Sequence, residues 1–278
     1  MMPHVSAAVV LSMDTAQSRH DSLAADGNVL RNLCPLLYMQ CNRGFKKCSK
    51  SGVNNTAHDL VHAYLNAFRE MERHENVLII EDDVRFDLPD LATHLKRVDA
   101  LVDSKQGNYT AYTLGSLAFC MLPCEWYHRR IVGRWACTHA VIWSRNTREK
   151  LLKSIDLDSI SPHTILHMDN ADLVPELQRG VYTYYRPIAT QIFPATENRG
   201  NWCLDCTNLD KPYRQRQEAI YRDLVGAFYG LLGLDKRTRP GWDIVYCGSF
   251  GVVPLLLVAI IIAVVVIVCV KVGQRNAQ

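Results

Sequence analysis

The sequence lacks a marked imbalance of charge. Its 31 lysines and arginines stand against 28 aspartates and glutamates, which gives a formal net charge of +3 over 278 residues. The basic residues are dispersed along the chain and do not form long runs. Proteins that bind nucleic acids carry a concentrated basic surface, so this composition argues against a nucleic-acid partner.

The chain also lacks a recognisable secretion signal. No lysine or arginine precedes the short apolar run near the N-terminus, and Asp14 follows that run directly. A signal peptide needs a basic region before a longer apolar segment. The sequence shows no internal repeat and no low-complexity linker either. We therefore expect the globular part of the protein to be cytosolic.

Charge is absent from one long apolar segment, residues 250–270. A helix of this length spans roughly 30 Å, the thickness of the hydrocarbon core of a bilayer. The sequence therefore predicts a single transmembrane helix that anchors the protein by its tail, with a buried helix of a soluble protein as the alternative. Residues 211–249 are predicted to form an amphipathic helix and a basic juxtamembrane linker, and residues 271–278 a short polar tail.

Ten cysteines are spread over the chain. In a reducing cytosol they are expected to be free thiols. Cys203 and Cys206 have the spacing of half a zinc site, which Cys120 and Cys124 could complete if the fold brought the two pairs together. Buried free cysteine is the simpler interpretation.

Short apolar runs alternate with amphipathic segments over residues 1–210, which is typical of one α/β domain. The clearest helix begins at Thr56, whose hydroxyl can cap it, and Asp59 has the spacing of a capping box. Two further helices are expected near residues 89–102 and 146–155. The predicted strands are residues 7–11, 36–41, 76–80, 109–114 and 136–143.

The most apolar of these strands runs directly into three acidic residues, Glu81, Asp82 and Asp83. Ligands of open α/β sheets bind beyond the carboxyl ends of the strands. Three adjacent carboxylates repel one another unless a cation or a hydrogen-bonded network compensates, and Mg²⁺ or Mn²⁺ prefers carboxylate and phosphate oxygens. The segment therefore predicts a metal–diphosphate site, with a solvated acidic turn as the alternative.

The acidic segment resembles the I-L-E-D-D-V segment of glycosyltransferase family 25, the lipo-oligosaccharide and collagen galactosyltransferase group. Other segments resemble that family in the same order, through several weak motifs over roughly residues 5–200. The glycine and cysteine usual before the family's helix are replaced here by residues 54–57. The similar segments are residues 9–23, with the arginine-bearing loop; 57–68, the helix before the acidic motif; 114–115; 137–144 with 150–152; and 168–169, the position of a later aspartate.

The resemblance implies a GT-A type fold, which is a Rossmann-like mixed sheet flanked by helices. It also implies that a hexose, guessed as galactose or glucose, is moved from a nucleotide sugar to a hydroxyl of a glycan, lipid or protein acceptor. A UDP-sugar is the expected donor, and Mn²⁺ or Mg²⁺ the expected cofactor. The membrane, reached through residues 250–270, is the remaining expected partner.

The same hypothesis gives roles to residues near the acidic segment. Asp83, with Glu81, binds the divalent cation, and Glu81 or Asp82 supports the ribose or the metal-bound waters. Arg19 contacts the nucleotide. The cation neutralises charge that develops on the departing nucleoside diphosphate.

An inverting transferase also needs a carboxylate that takes the proton of the acceptor hydroxyl. By the resemblance this base is Asp169, with Asp172 as the second candidate, although Asp169 could instead be the N-cap of a helix. His139 lies on an apolar strand, where it is either a substrate contact or a hydrogen-bonded core residue.

Two other classes of protein stay open at this point. A metal-dependent phosphoryl hydrolase would also place carboxylates at a strand end, but usually with a second carboxylate or histidine cluster. A catalytically inactive, membrane-anchored glycan-binding or structural protein would keep the fold and lose the metal. Bound Mn²⁺ would distinguish the transferase from the inactive protein.

Overall fold

The computed structural model describes residues 1–25, 27–86, 89–136, 138–162, 168, 177, 179–185, 187–191, 259–267 and 269. Strands and helices largely alternate up to residue 113, as predicted for an α/β protein, and several strands then follow one another. The strands are β1 (Ala7–Met13), β2 (Leu36–Asn42), β3 (Asn76–Glu81), β4 (Val84–Arg85), β5 (Ala111–Thr113), β6 (Leu117–Glu125), β7 (His128–Ala136), β8 (Ala140–Ser144), β9 (Val181–Tyr184) and β10 (Thr190–Gln191). The helices are α1 (Gln17–Ala25), α2 (Gly27–Arg31), α3 (Thr56–Glu70), α4 (Leu91–Lys105) and α5 (Arg145–Ser154).

Eight of the strands form one mixed sheet in the order β2-β1-β3-β8-β5-β9-β7-β6. β1 is parallel to β2 and β3, β8 is antiparallel to β3 and β5, and β9 is parallel to β5. β7 is antiparallel to β9, and β6 to β7. The carboxyl ends of β1, β2, β3, β5 and β9 therefore lie along one side of the sheet, together with the turn between β6 and β7. We call this side the carboxyl rim.

Alternate residues of the central strands enter two separate hydrophobic cores. In β1, Ala7 and Val9 pack into the core that contains α3 and α5, whereas Ala8 and Val10 pack into the core that contains α1, α2 and α4. The predicted mixed sheet flanked by helices is thus confirmed. The apolar residues of β3 are fully buried because helices cover both faces of the sheet at this strand.

The start of α3 differs from the sequence prediction. Asn55, not Thr56, is the N-cap residue, and its side chain accepts a hydrogen bond from the His58 backbone N–H at 2.9 Å. The prediction was wrong because Asn is a stronger capping residue than Thr and lies one position earlier. Helix α3 begins at Thr56 in both cases.

Asp59 also has a role other than the predicted capping box. Its carboxylate accepts a hydrogen bond from the Phe45 backbone N–H at 2.9 Å and pairs with Lys50 Nζ at 2.5 Å. Both members of the ion pair are largely buried. The loop that follows β2 is thereby fixed against α3 at the carboxyl rim.

A buried arginine closes the other end of α3. Arg148, in α5, is 1% exposed and donates hydrogen bonds to the carbonyl oxygens of Met71, at 2.6 Å, and His74. Burial lowers the pKa of this guanidinium to about 10, which still leaves it charged at neutral pH. The side chain therefore joins α5 to the segment between α3 and β3.

Replacing Arg148 by methionine is expected to lower the free energy of unfolding by about 2–4 kcal/mol, because buried carbonyl groups lose a charged donor. Arg145→Met, one turn earlier on the exposed side of α5, is the matched control. Its pairs with Glu75 and Glu149 lie at the surface, so its substitution is expected to change the free energy of unfolding far less than Arg148→Met does. Urea denaturation of the two variants measures the difference, and equal losses would contradict this role of Arg148.

His128, at the start of β7, is 4% exposed, and its Nδ1 lies 2.7 Å from the Tyr112 hydroxyl oxygen. Burial, reinforced by the positive charges of Arg129, Lys105 and Arg97, lowers the pKa of His128 to about 4. The histidine is therefore neutral in the folded protein near neutral pH.

The depressed pKa of His128 predicts a loss of stability in acid. Between pH 6.5 and about pH 4 the unfolded chain binds a proton at this residue that the folded chain does not bind. The contribution of the neutral histidine to the free energy of unfolding is complete above pH 6.5. It falls by up to about 3 kcal/mol as the pH is lowered. Urea denaturation across this pH range measures the difference in free energy of unfolding between wild type and His128→Gln. A difference that does not change with pH would refute the predicted effect of His128.

The predicted C-terminal segments, residues 211–249, 250–270 and 271–278, lie largely outside the described residues. Of these segments the structure describes only residues 259–267 and 269. Residues 259–267 are helical, and their isoleucines and valines are 53–60% exposed. Among the residues that the structure describes, no helix is both long and apolar enough to cross a bilayer.

Candidate functional site

The predicted acidic segment lies at the carboxyl rim. Glu81 is the last residue of β3, Asp82 and Asp83 form the turn that follows, and β4 begins at Val84. Asp82 and Asp83 are 4% and 3% exposed. Two adjacent buried carboxylates require compensation, and they lie where ligands of α/β sheets bind.

Asp82 obtains this compensation from residues near the end of β1. Arg19 Nη1 lies 2.5 Å from Oδ1 of Asp82, and the Ser12 hydroxyl donates a hydrogen bond to Oδ2 at 2.6 Å. Both oxygens are thus engaged by side chains of the chain itself. The structure brings together two predicted donor-site residues, Arg19 and Asp82, although their functional roles stay predictions.

Ser12 extends this network to His20. The Ser12 Oγ lies 2.8 Å from Nε2 of His20, and a hydroxyl has only one proton to donate. Because that proton goes to Asp82, the His20 ring must donate from Nε2 to Ser12. A directed chain of hydrogen bonds therefore runs from His20 through Ser12 to Asp82.

Glu81 is held by residues from two other elements. Its Oε1 lies 3.1 Å from the Tyr64 hydroxyl, on α3, and accepts a hydrogen bond from Thr138 Oγ1 at 3.0 Å. The Tyr64 hydroxyl also lies 2.9 Å from the carbonyl oxygen of Thr138. The Glu81 carboxylate is therefore positioned by α3 and by the segment that leads into β8.

A divalent cation would have to bind here with few protein ligands. The described residues contain no group of three or more His, Cys, Asp or Glu that could hold a metal ion. Mg²⁺-type ions bind in many enzymes through one or two carboxylates together with substrate phosphates and water. Glu81 and Asp83 fit that mode, because Arg19 and Ser12 already engage both oxygens of Asp82.

His139 is buried next to a close contact between two backbone segments. Its Nε2 lies 3.3 Å from the carbonyl oxygen of Ala189, so this nitrogen carries a proton and donates it. A Cβ atom on Gly115 would lie 2.0 Å from that same oxygen and 3.0 Å from Nε2. The geometry fits the core interpretation of His139, and the predicted substrate contact stays a prediction.

Three exposed basic residues follow β2 at the same rim. Arg43, Lys46 and Lys47 lie in the loop that Asp59 fixes, and Arg43 is 3.7 Å from Asp14 at the end of β1. They place positive charge on the same rim as the acidic turn, with β1 between the strands that carry them. Phosphate groups of a nucleotide could contact them.

The predicted base residues, Asp169 and Asp172, lie outside the described residues. The same holds for Cys203 and Cys206 and for the side chain of Cys120, so the proposed zinc site is not tested. Cys124 is a free, exposed thiol.

Sequence reasoning missed Ser12, His20, Tyr64 and Thr138, which hold the acidic turn. The contact of Asp82 with Ser12 spans 70 residues and that with Arg19 spans 63. No local pattern encodes such distances. Two of these residues could have been suggested by their positions in the sequence. Ser12 lies near the end of a strand, and Thr138 directly precedes His139 in one of the segments that resemble family 25.

No protein-family model matches the chain, and no curated protein matches it. Several solved structures are similar in fold. A glycosyltransferase involved in the glycosylation of the major capsid of PBCV-1 is 10% identical with a TM-score of 0.44, over 69% of this chain and 94% of that one. UDP-glucose pyrophosphorylase in complex with UDP-glucose is 13% identical with a TM-score of 0.37, over 64% and 72%. Mannose-1-phosphate geranyltransferase from Thermus thermophilus is 10% identical with a TM-score of 0.39, over 65% and 73%.

These similar structures include a glycosyltransferase and an enzyme that binds a nucleotide sugar. At such identities and TM-scores they do not carry a functional argument.

Proposed function

We propose that the protein is a metal-dependent glycosyltransferase that moves a hexose from a nucleotide sugar, with a UDP-sugar as the expected donor. The observation that carries the proposal is the buried acidic turn, in which Arg19 and Ser12 engage Asp82 beside Asp83 and Glu81. A structural turn gains little from buried carboxylates, whereas a metal–diphosphate site uses carboxylates to hold the cation.

The three acidic residues have different roles in this proposal. Asp82 organises the turn, since its charge is balanced by Arg19. Asp83 and Glu81 would hold Mn²⁺ or Mg²⁺ together with the diphosphate of the donor. The bound ion would supply Lewis-acid stabilisation of the negative charge that develops on the leaving nucleoside diphosphate.

Arg19 can serve the donor as well as Asp82. A guanidinium has five N–H donors in a fixed plane, so a bond from Nη1 to Asp82 is compatible with contact to a nucleotide. The pair would hold Arg19 in a single orientation before the donor binds, which lowers the entropy lost on binding. Arg43, Lys46 and Lys47 add positive charge on the same side.

In the transfer, the bond between the anomeric carbon and the diphosphate oxygen breaks, and its electron pair leaves with the nucleoside diphosphate. The acceptor hydroxyl oxygen forms the new bond to the anomeric carbon, and its proton passes to a carboxylate. For an inverting reaction that base is proposed to be Asp169, with Asp172 as the alternative. This assignment is supported by the resemblance of residues 168–169 alone.

The protein is further proposed to be attached to a membrane by residues 250–270, with the globular part in the cytosol. The exposed isoleucines and valines of residues 259–267 support this attachment, because such side chains are stable only in lipid or against protein. The acceptor is then a glycan, lipid or protein close to the bilayer.

The proposal is tested with the full chain in detergent and a panel of UDP- and GDP-sugars. We expect release of nucleoside diphosphate from one donor with Mn²⁺, and loss of that release with EDTA. The identity of the cleaved donor would name the sugar. Absence of both cleavage and Mn²⁺ binding would reject the proposal in favour of an inactive binding protein.

A further inference from the structure

The hairpin of β6 and β7 lies at the outer side of the sheet and ends in a strongly exposed tryptophan. Trp126, in the turn between the strands, is 86% exposed, and Leu122 and Val132 are each 43% exposed. Contact of these apolar side chains with water is unfavourable. Grouped apolar side chains of this kind mark interaction surfaces more often than isolated ones do.

The strand pairing places part of this surface on one face of the sheet. Leu122 is directly opposite Arg130 in the β6–β7 ladder, and directly opposite residues project from the same face. Val132 shares that face because it is two residues from Arg130. The adjacent pair, Met121 and Ile131, is buried in the core on the other face.

Helix α4 reaches the turn of the hairpin, where the guanidinium of Arg97 lies 3.8 Å from the centre of the Tyr127 ring, but it leaves Leu122 and Val132 uncovered. Tyr182 of β9 is directly opposite Arg130 in the neighbouring ladder, and Lys105 Nζ of α4 lies 5.1 Å from the Tyr182 ring. Beyond β9, Leu122 and Val132 remain exposed to solvent within the described part of the chain. We call Leu122, Trp126, Arg130 and Val132 the hairpin patch.

The charge around the hairpin patch is positive. Residues 121–132 contain Arg129 and Arg130 but a single acidic residue, Glu125, whose carboxylate lies 3.7 Å from Lys105 Nζ. Tryptophan is enriched at the level of lipid headgroups, and arginine binds phosphate oxygens. An exposed indole, two aliphatic side chains and adjacent arginines therefore fit the surface of an anionic bilayer.

We propose that the hairpin patch docks on an anionic bilayer, with Trp126 among the lipid headgroups and Arg130 on their phosphate groups. The inference rests on the proposed attachment through residues 250–270, which would keep the hairpin close to the membrane. An intramolecular contact of this kind needs only weak intrinsic affinity, because the tether supplies a high effective concentration.

Docking would also orient the site. His128 at the start of β7 is directly opposite Tyr184, the last residue of β9, so the tip of the hairpin lies at the carboxyl rim. The acidic turn of Asp82 and Asp83 lies on that same rim. A docked hairpin turns the rim towards the bilayer, which favours lipid-linked or membrane-protein acceptors over soluble ones.

The experiment uses the full chain on vesicles of phosphatidylcholine, with or without phosphatidylglycerol, that contain brominated acyl chains. Bromine quenches tryptophan that enters the interface, and subtraction of the Trp126→Phe signal isolates Trp126 from the other tryptophans. We expect quenching of Trp126 on anionic vesicles and little on neutral ones. High salt is expected to reverse it, since the charges are exposed.

Arg130→Gln is expected to lower the ratio of docked to undocked protein about fivefold, the usual effect of one basic residue at an anionic surface. Arg31→Gln is the matched control. Arg31 is exposed at the end of α2 and precedes the amino end of β2, on the opposite side of the sheet. Its substitution is expected to leave the quenching unchanged.

The proposal is overturned if the protein floats with anionic vesicles but Trp126 is not quenched. Protection of Trp126 from acrylamide without lipid also overturns it, because the chain itself or a second copy would then cover the patch. If the protein does not float with the vesicles, both the docking of the hairpin patch and the attachment through residues 250–270 are rejected. Donor cleavage in detergent reports separately on the proposed enzyme, and Trp126→Phe is expected to leave it unchanged.

Discussion

Replacing Asp83 by asparagine is expected to lower Mn²⁺-dependent cleavage of the donor about 10²- to 10³-fold, the usual cost of removing one group that stabilises a developing charge. The amide keeps the size of the side chain but removes its negative charge. Asp83 is 3% exposed in the turn after β3, so the exchange should preserve packing. Nucleoside diphosphate release and Mn²⁺ titration measure the two effects together.

Asp90→Asn is the matched control for this change. Asp90 is an exposed aspartate at the N-cap of α4 and makes no capping hydrogen bond through its side chain. Its backbone is in the left-handed region, φ 55°, which asparagine tolerates well. Full activity of Asp90→Asn beside an inactive, folded Asp83→Asn would support the site. Unchanged cleavage and Mn²⁺ affinity in Asp83→Asn would show that the site is wrongly placed.

Replacing Gly115 by alanine is expected to destabilise the protein by about 4 kcal/mol or more, at the upper end of single substitutions. The added Cβ would lie 2.0 Å from the Ala189 carbonyl oxygen, which is a fixed backbone atom. Relief of the overlap would separate the two segments. That movement would break the hydrogen bonds that the Leu114 carbonyl oxygen accepts from the backbone N–H groups of Ile188 and Ala189.

Gly107→Ala separates this overlap from the general effect of replacing glycine. Gly107 has φ 77°, which disfavours alanine, but no atom of the described residues lies within 4 Å of the position that the added methyl group would take. Its loss of stability is expected to be about 1 kcal/mol. Urea denaturation compares the two variants, and a similar, small loss at Gly115 would mean that the two backbone segments are not held together as described.

The central part of the fold could be predicted from the sequence because its pattern is strong. The run from Val77 to Ile80 is apolar at every position, which is the signal of a strand covered on both faces. Helix α3 has a clear apolar face, and α4 and α5 lie within about three residues of their predicted limits, the usual error of such boundaries.

The hairpin of β6 and β7 was not predicted. β6 contains Pro123, which removes a backbone donor and argues against a central strand, and its irregular pairing disturbs the alternation of side chains. Proline is tolerated there because β6 is the last strand of the sheet. Such a position is decided by the order of the strands, which the local pattern does not contain.

The acidic motif could be recognised, but the partners that hold it could not. Resemblance and strand position pointed to Glu81, Asp82, Asp83 and Arg19, whereas Ser12 and His20 carry no motif of their own. Their contacts depend on the parallel pairing of β1 with β3, which brings residues near 12 and 82 together. The proposed base, Asp169, still depends on resemblance alone.

The position of β9 has a consequence for the order of folding. Among the strands that the structure describes, the hairpin of β6 and β7 joins the sheet through β9 alone, which pairs with β5 on one side and β7 on the other. An isolated two-stranded hairpin is barely stable in water. During synthesis, residues 117–136 therefore have no strand partner in the sheet until residues 181–184 have been made. In this interval the hairpin exposes an unpaired strand edge, which favours misassembly.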